Sequence, residues 1–215
     1  AGPDTAALDA LTGPYSDFPA TPIVDSSGSG ATTPPDAPNL FGAAGTGTPT
    51  GGPCWLEPEL GVLLPLGGLR PRFNVLPAGG QNVFAIRLHA DNEANDLVVY
   101  TNNPIWTLPA DIWHALNTHL VDQDIDVTIR AATTDGTTLT SPVAIGSSGP
   151  IRIAPASAAG AIVYWTPSAG TPPEGTLKGF AYGDETVATV LTPGQASTTC
   201  IGCHTSTPDG AFAAF

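Results

Sequence analysis

Asn82-Val83-Phe84-Ala85-Ile86-Arg87-Leu88-His89 is the stretch that decides the fold class. Its bulky apolar residues Phe84, Ile86 and Leu88 alternate with smaller or polar ones, and a period of two belongs to a strand buried on one face. Arg87 and His89 fall on the other face. The same period returns in Ile125-Asp126-Val127-Thr128-Ile129-Arg130-Ala131, with Ile125, Val127 and Ile129 inward. Leu97-Val98-Val99-Tyr100-Thr101 lies between the two, and Ile151-Arg152-Ile153, Ala161-Ile162-Val163-Tyr164-Trp165 and Val187-Ala188-Thr189-Val190-Leu191 follow. Short strands at this spacing, joined by turns containing Gly and Pro, predict a mainly β chain. The expected architecture is an antiparallel β-sandwich of the immunoglobulin or fibronectin III kind over residues 54–192. One segment departs from the period: after Pro109, residues Ile112, Trp113, Leu116 and Leu120 share a helical face, which predicts a short helix crossing between the sheets. Trp106, Trp113 and Trp165 are expected beneath the sheets as core anchors.

Composition bounds the rest. With 215 residues there is room for one or two domains, and 41% hydrophobic residues can build a core. The 25 Gly and 23 Pro against only 12% charged residues point to turns and extended coil rather than to a helical bundle. Six basic residues face 19 acidic ones, and a net charge of -13 repels the phosphates of nucleic acid, so no nucleic-acid partner is expected. No apolar run reaches the ~18 residues of a membrane-spanning helix, and Pro65 breaks the run Gly61 to Gly67. Residues 1–53 are rich in Gly, Pro, Ser, Thr and Ala, and their acids have no basic neighbour before Arg70. This composition reads either as a flexible linker or as a long extended arm bound to a partner, with Tyr15, Phe18, Ile23, Leu40 and Phe41 as anchors. The chain opens on Ala1 without a basic start and apolar stretch, so it is expected to be a mature exported chain.

The chemistry concentrates in residues 193–215, at Thr199-Cys200-Ile201-Gly202-Cys203-His204-Thr205. Cys-x-x-Cys-His is the attachment signature of c-type haem. Two intervening residues let one turn of chain set both sulfurs along a porphyrin edge, and the next residue directs an imidazole at the iron. Gly202 removes a side chain where backbone must approach the macrocycle. Other readings of the pair are a redox dithiol, for which no βαβ pattern surrounds it, a zinc site completed by Cys54 or another His, and a structural disulfide. Cys54 is otherwise a buried thiol or a cross-link to a partner. The chain has no Met, which removes the His/Met pairing of many small cytochromes. His204 is then the proximal iron ligand, and His89, His114 and His119 are the protein-derived candidates for the distal one. His114 and His119 are five residues apart, roughly 140° around a helix, and do not both face one iron. Asp122, Asp124 and Asp126 read as a solvated loop entering a strand. They would serve as calcium ligands only without the Gly and distal Glu of a helix-loop-helix calcium loop. No Gly-x-Ser-x-Gly elbow, phosphate-binding Gly-Lys-Ser/Thr loop or His-Glu-x-x-His helix occurs, and the chain is not read as an enzyme.

After the Cys-x-x-Cys-His run, Ser206-Thr207-Pro208-Asp209-Gly210 and the apolar Phe212 to Phe215 read as a tight turn opening a new β-element. This resembles the opening turn and strand of a TolB-like propeller repeat. Together with Leu69-Arg70-Pro71-Arg72-Phe73, Trp106-Thr107-Leu108-Pro109 and Ala161 to Trp165, it resembles a group of exported proteins of Gram-negative bacteria, common in myxobacteria. In that group an immunoglobulin-like region leads through a Cys-x-x-Cys-His element into a TolB-like propeller. The resemblance implies a periplasmic, outer-membrane surface or secreted protein with one covalent haem c. The match stops at Phe215, before any propeller, as a processed product or shorter relative would, and propeller functions are not carried over. The expected activity is one-electron transfer, as a monohaem cytochrome or an accessory haem subunit of a larger redox assembly. Its acidic surface would meet a basic redox partner, and the N-terminal arm would wrap it. The alternative is an immunoglobulin-like binding or structural subunit whose Cys200 and Cys203 form a disulfide or a zinc site.

Overall fold

A computed structural model describes residues 13–167, 175–202, 204–208 and 210–214. The chain divides into two compact units, Ala1–Leu66 with Arg70–Pro155, and Gly67–Leu69 with Ala156–Phe215. It is mainly β, with several sheets, as a β-sandwich requires.

The elements of the first unit, in chain order, are β1 (Ile23–Asp25), α1 (Ala37–Phe41), β2 (Cys54–Glu57), β3 (Leu63–Leu66), β4 (Arg72–Leu76), β5 (Val83–His89), β6 (Leu97–Thr101), β7 (Ile105–Thr107), α2 (Ala110–His119), β8 (Asp124–Ala132) and β9 (Ala144–Ser157), whose last residues pass into the second unit. A six-stranded sheet runs β1-β6-β5-β8-β9-β3 and a three-stranded sheet runs β2-β4-β7. The pairs among β5, β6, β8 and β9 are antiparallel, and β1 joins β6 in parallel. The alternation in the sequence fixes which face is buried. Phe84, Ile86 and Leu88 of β5 and Ile125, Val127 and Ile129 of β8 are all at most 1% exposed. They share one core with Phe73 and Val75 of β4, Trp106 of β7, and Ile112, Trp113 and Leu116 of α2. Each such side chain contributes roughly 1.5–3 kcal/mol by leaving water. As expected, α2 links a strand of the small sheet to a strand of the large one. On the opposite face of the large sheet, Ala37 and Phe41 of α1 pack on Val83, Ala85, Tyr100 and Ala132.

The described part of residues 1–53 lies along this unit and is held mainly through its main chain. Tyr15 N–H donates to Asn92 O at 2.7 Å, Thr48 N–H to Val143 O and Ile145 N–H to Thr48 O, both at 2.8 Å. The Asn102 amide accepts from Gly28 N–H at 2.9 Å and donates to Ala31 O at 3.0 Å. Gly52 approaches so closely that a Cβ there would lie 2.0 Å from Ile145 O. Of the anchor residues, Phe18 and Phe41 are buried and Tyr15 stacks on His119 with ring centroids 4.1 Å apart. No helix among the described residues is long and apolar enough to cross a membrane.

Two carboxylates of this unit set opposite pH dependences. Glu93 is 9% exposed and accepts from Asp17 N–H at 3.0 Å. Burial raises its pKa, the Asp17 amide opposes this, and the Asp17 charge adds to it, so the carboxyl stays above the ordinary range. Burial also pushes Asp96 up, but hydrogen bonds from Arg87 and His89 and their charges outweigh it and hold Asp96 below the ordinary range. A raised folded pKa contributes stability that is fully present below the unfolded value, about 4.3 for Glu, and is lost as pH rises through the folded one. The Asp96 contribution is present above its unfolded value, about 3.9, and is lost as pH falls through the folded one. Urea unfolding of Glu93→Gln across pH 3 to 8 will therefore show a flatter decline on the side above about pH 4.5 and an unchanged acid limb. An unaltered slope above that pH would remove Glu93 as its source.

Candidate functional site

The second unit holds β10 (Ala161–Pro167), β11 (Gly175–Ala181) and β12 (Ala188–Leu191) in one antiparallel sheet, and a hairpin of β13 (Thr205–Ser206) with β14 (Ala213–Ala214). The register pairs Val163 with Gly179, Trp165 with Leu177 and Pro167 with Gly175. Odd-numbered residues of β10 thus share one face, and the Cys-x-x-Cys-His loop is tied to this strand.

Three contacts position the loop. The indole N–H of Trp165 donates to Ile201 O at 2.6 Å. Imidazole Nε2 of His204 lies 3.0 Å from Val163 O, and since a carbonyl only accepts, Nε2 carries the proton there. Ile201 itself is 1% exposed and serves as the apolar plug. The carbonyl comes this close because Gly175 lies beneath it, where a Cβ would sit 1.8 Å from Ile201 O and 2.0 Å from the indole nitrogen. Around this pinned centre the loop is open. Cys200 is exposed with a free thiol, and a Cβ on Gly202 would meet nothing within 4 Å. Cys203, the second thiol of the motif, lies outside the described residues, as does Asp209 of the turn that follows. The hairpin after the motif closes through Thr207 N–H to Phe212 O at 2.9 Å.

Trp165 corrects the expectation of a core anchor. It is 42% exposed and its indole serves the loop by its N–H, whereas Trp106 and Trp113 are buried as expected. Sequence reading missed both Trp165 as the support of the motif and Gly175 as the residue that admits it. Alternating Gly and apolar positions in Gly175-Thr176-Leu177-Lys178-Gly179 were the available signal of β11.

The donor set fits a c-type haem in type, order and access: an exposed thiol, an uncrowded glycine and an adjacent imidazole. His204 fits as a ligand through Nε2 only by exchanging its bond to Val163 O. The remaining histidines lie in the first unit. His89 has Nδ1 2.7 Å from Asp96 and Nε2 3.4 Å from Asp91, His119 has Nδ1 2.7 Å from Asp17, and His114 is exposed on α2. Two of the three rings are therefore already held by carboxylates. Asp122 and Asp124 are engaged by Arg152, at 3.7 and 2.6 Å, and Asp126 is exposed on β8. Among the described residues no group of three His, Cys, Asp or Glu side chains is placed to hold a metal ion. Cys54 is exposed on β2. Compared with known protein families, with curated proteins and with solved structures, the chain matches none.

Proposed function

We propose that Cys200, Cys203 and His204 attach one c-type haem and that the chain is an exported monohaem electron-transfer protein or an accessory haem subunit of a larger redox assembly. The observation that carries this reading is the Cys-x-x-Cys-His run, supported by its presentation on a loop pinned at Ile201 with Cys200 exposed. When bound, the haem supplies a one-electron centre. Cys200 and Cys203 hold it by thioether bonds and His204 is the proximal ligand. Before that, His204 keeps its proton on Nε2 against Val163 O, so ligation frees this carbonyl and leaves Nδ1 as the ring's remaining donor. Trp165 and Gly175 position the loop and do not touch the group.

The same reading places the protein in the periplasm, at the outer-membrane surface or outside the cell. It takes the first unit as an immunoglobulin- or fibronectin-III-like sandwich, and it gives the net charge of -13 the task of steering a basic redox partner. The opposing reading is a binding or structural subunit, favoured by one observation: Trp165 and His204 already tie the segment to its sheet through protein hydrogen bonds.

The test is expression of the natively exported chain in a host with c-type haem maturation. A denaturing gel stained for covalent haem, an intact mass and a reduced-minus-oxidised spectrum are then recorded. The expected result is one haem per chain, lost from the covalent band in Cys200→Ala with Cys203→Ala. His204→Ala should keep a thioether but change the spectrum. A colourless protein with the bare polypeptide mass would sink the proposal in favour of a disulfide or zinc site.

A further inference from the structure

On the face of the six-stranded sheet turned from the main core, four strands bring polar side chains into register. Tyr100 and Val98 of β6 pair with Ala85 and Arg87 of β5, and these pair with Arg130 and Thr128 of β8. Thr128 pairs onward with Ser148 of β9, and Arg130 with Ile145. The segment after α1, including Gly42, Ala44 and Gly45, closes one side, and together they bound an open cleft of about 430 Å³. That is the size range of small-molecule sites, roughly 300–1,000 Å³.

The charges in the cleft do not cancel. Arg87 gives Nε to Asp96 at 2.5 Å, and the other oxygen of Asp96 is held by His89. Arg130 is 8% exposed and has no carboxylate within 4.0 Å among the described residues. Its Nη1 is spent on the carbonyls of Phe41, Ala43 and Thr46 at 2.9, 2.9 and 3.2 Å and on the Thr46 hydroxyl at 3.3 Å. The guanidinium carbon lies 5.7 Å from the centre of the Phe41 ring, and among the described residues Nη2 has one hydrogen bond, to Gly42 O at 3.5 Å. Holding the loop accounts for Nη1 and leaves the remaining donors over. Burial lowers the pKa of this guanidinium, Tyr100 opposes that, and the charge of Arg87 adds to it, the situation an anion would relieve. Two of the six basic residues of a chain of charge -13 thus converge on one cleft.

The hydrogen-bond inventory points the same way. The hydroxyls of Tyr100, Thr128 and Ser148 line the cleft and have no hydrogen-bond partner among the described residues. Tyr100 is only 4% exposed. These hydroxyls open on the cleft rather than being sealed in the protein, so three polar groups beside a cation without a carboxylate are free to turn to the oxygen acceptors of a bound molecule.

We propose that this cleft binds a small organic carboxylate, its oxygens held by Arg130 with the hydroxyls of Tyr100, Thr128 and Ser148. Its short apolar body lies against Ala85, Val98 and Ile145. With Arg87 balanced by Asp96, the cleft presents one net positive charge, which suits a monoanion better than a phosphate dianion, and its volume exceeds that of a bare inorganic ion. The site is built wholly within the first unit and does not depend on the haem reading.

The full chain is titrated by calorimetry at constant ionic strength with benzoate, butyrate, the neutral isostere benzamide and inorganic phosphate. Benzoate and butyrate should bind, with benzamide and phosphate at least about tenfold weaker, the factor that one good charged hydrogen bond supplies. Tyr100→Phe keeps the ring and removes the hydroxyl, and should lower benzoate affinity about tenfold with the fold intact. Ser148→Trp, at an exposed residue of the mouth, should abolish binding without disturbing the core. Equal binding of benzamide, silence of both carboxylates up to about 10 mM, or unchanged affinity in Ser148→Trp would each overturn the proposal.

Discussion

Phe73→Ala will destabilise the first unit by about 3–5 kcal/mol, a large share of the 5–15 kcal/mol that holds a typical domain together. Phe73 is 0% exposed on β4, the central strand of the small sheet, between Trp55 at 5.6 Å and Trp106 at 5.8 Å between ring centroids. Its ring separates two indoles that cannot collapse onto each other, because each is carried on a different neighbouring strand, Trp55 on β2 and Trp106 on β7. Truncation therefore leaves a cavity on top of the lost transfer energy. The melting temperature should fall on the order of 10 °C, with loss of near-ultraviolet dichroism from the two tryptophans. Phe73→Leu, which keeps most of the volume, should cost well under half as much. A loss below about 1 kcal/mol for Phe73→Ala would mean that this aromatic stack is not the centre of the core.

Gly175→Ala will loosen the segment that carries Cys200 and His204. Its new methyl would lie 1.8 Å from Ile201 O and 2.0 Å from the Trp165 indole nitrogen, and neither neighbour is the free end of a flexible chain. Either the loop lifts or the indole turns, and both break the 2.6 Å bond between them. Adding about 1 kcal/mol for that bond to about 1–3 kcal/mol for overpacking gives a cost of about 2–4 kcal/mol. Hydrogen exchange should rise sharply at the Trp165 indole N–H, the proton held by Ile201 O, while the first unit stays protected. Gly202→Ala, which meets nothing within 4 Å, is the matched control and should leave exchange nearly unchanged. Equal protection in both variants would show that Gly175 does not hold the loop.

How far the sequence could be read depended on whether side chains or main chain made the contact. The alternation around Ile86 and Val127 and the helical stripe Ile112, Trp113 and Leu116 are side-chain signals, and those elements stand where they were expected. Strand β3 was hidden because Pro65 sits within it and its run Gly61 to Gly67 is apolar throughout, without period. The course of residues 13–53 was hidden for another reason. Gly28 and Gly52 are placed by what a missing Cβ allows, and composition counts them only as flexible. The motif itself was legible as a pentapeptide, but not its support, since a large apolar residue such as Trp165 reads as packing until the partner of its N–H is known. The cleft of Arg130 escaped notice because its members come from four strands and the segment after α1, and only the fold brings them together.

The parallel strand β1 occupies one border of the six-stranded sheet and the Pro-containing β3 the other. An open border with free amides invites a strand from another molecule, and a three-residue strand ending in Asp25 and a proline that lacks an amide are both poor templates for one. The Gly- and Ser-rich beginning of the chain thereby acts as a guard against self-association. A version trimmed past Asp25 would uncover the edge of β6 along Val99–Thr101, the residues with which Ile23–Asp25 pair, and would be expected to cluster with itself at concentrations where the longer chain stays dispersed.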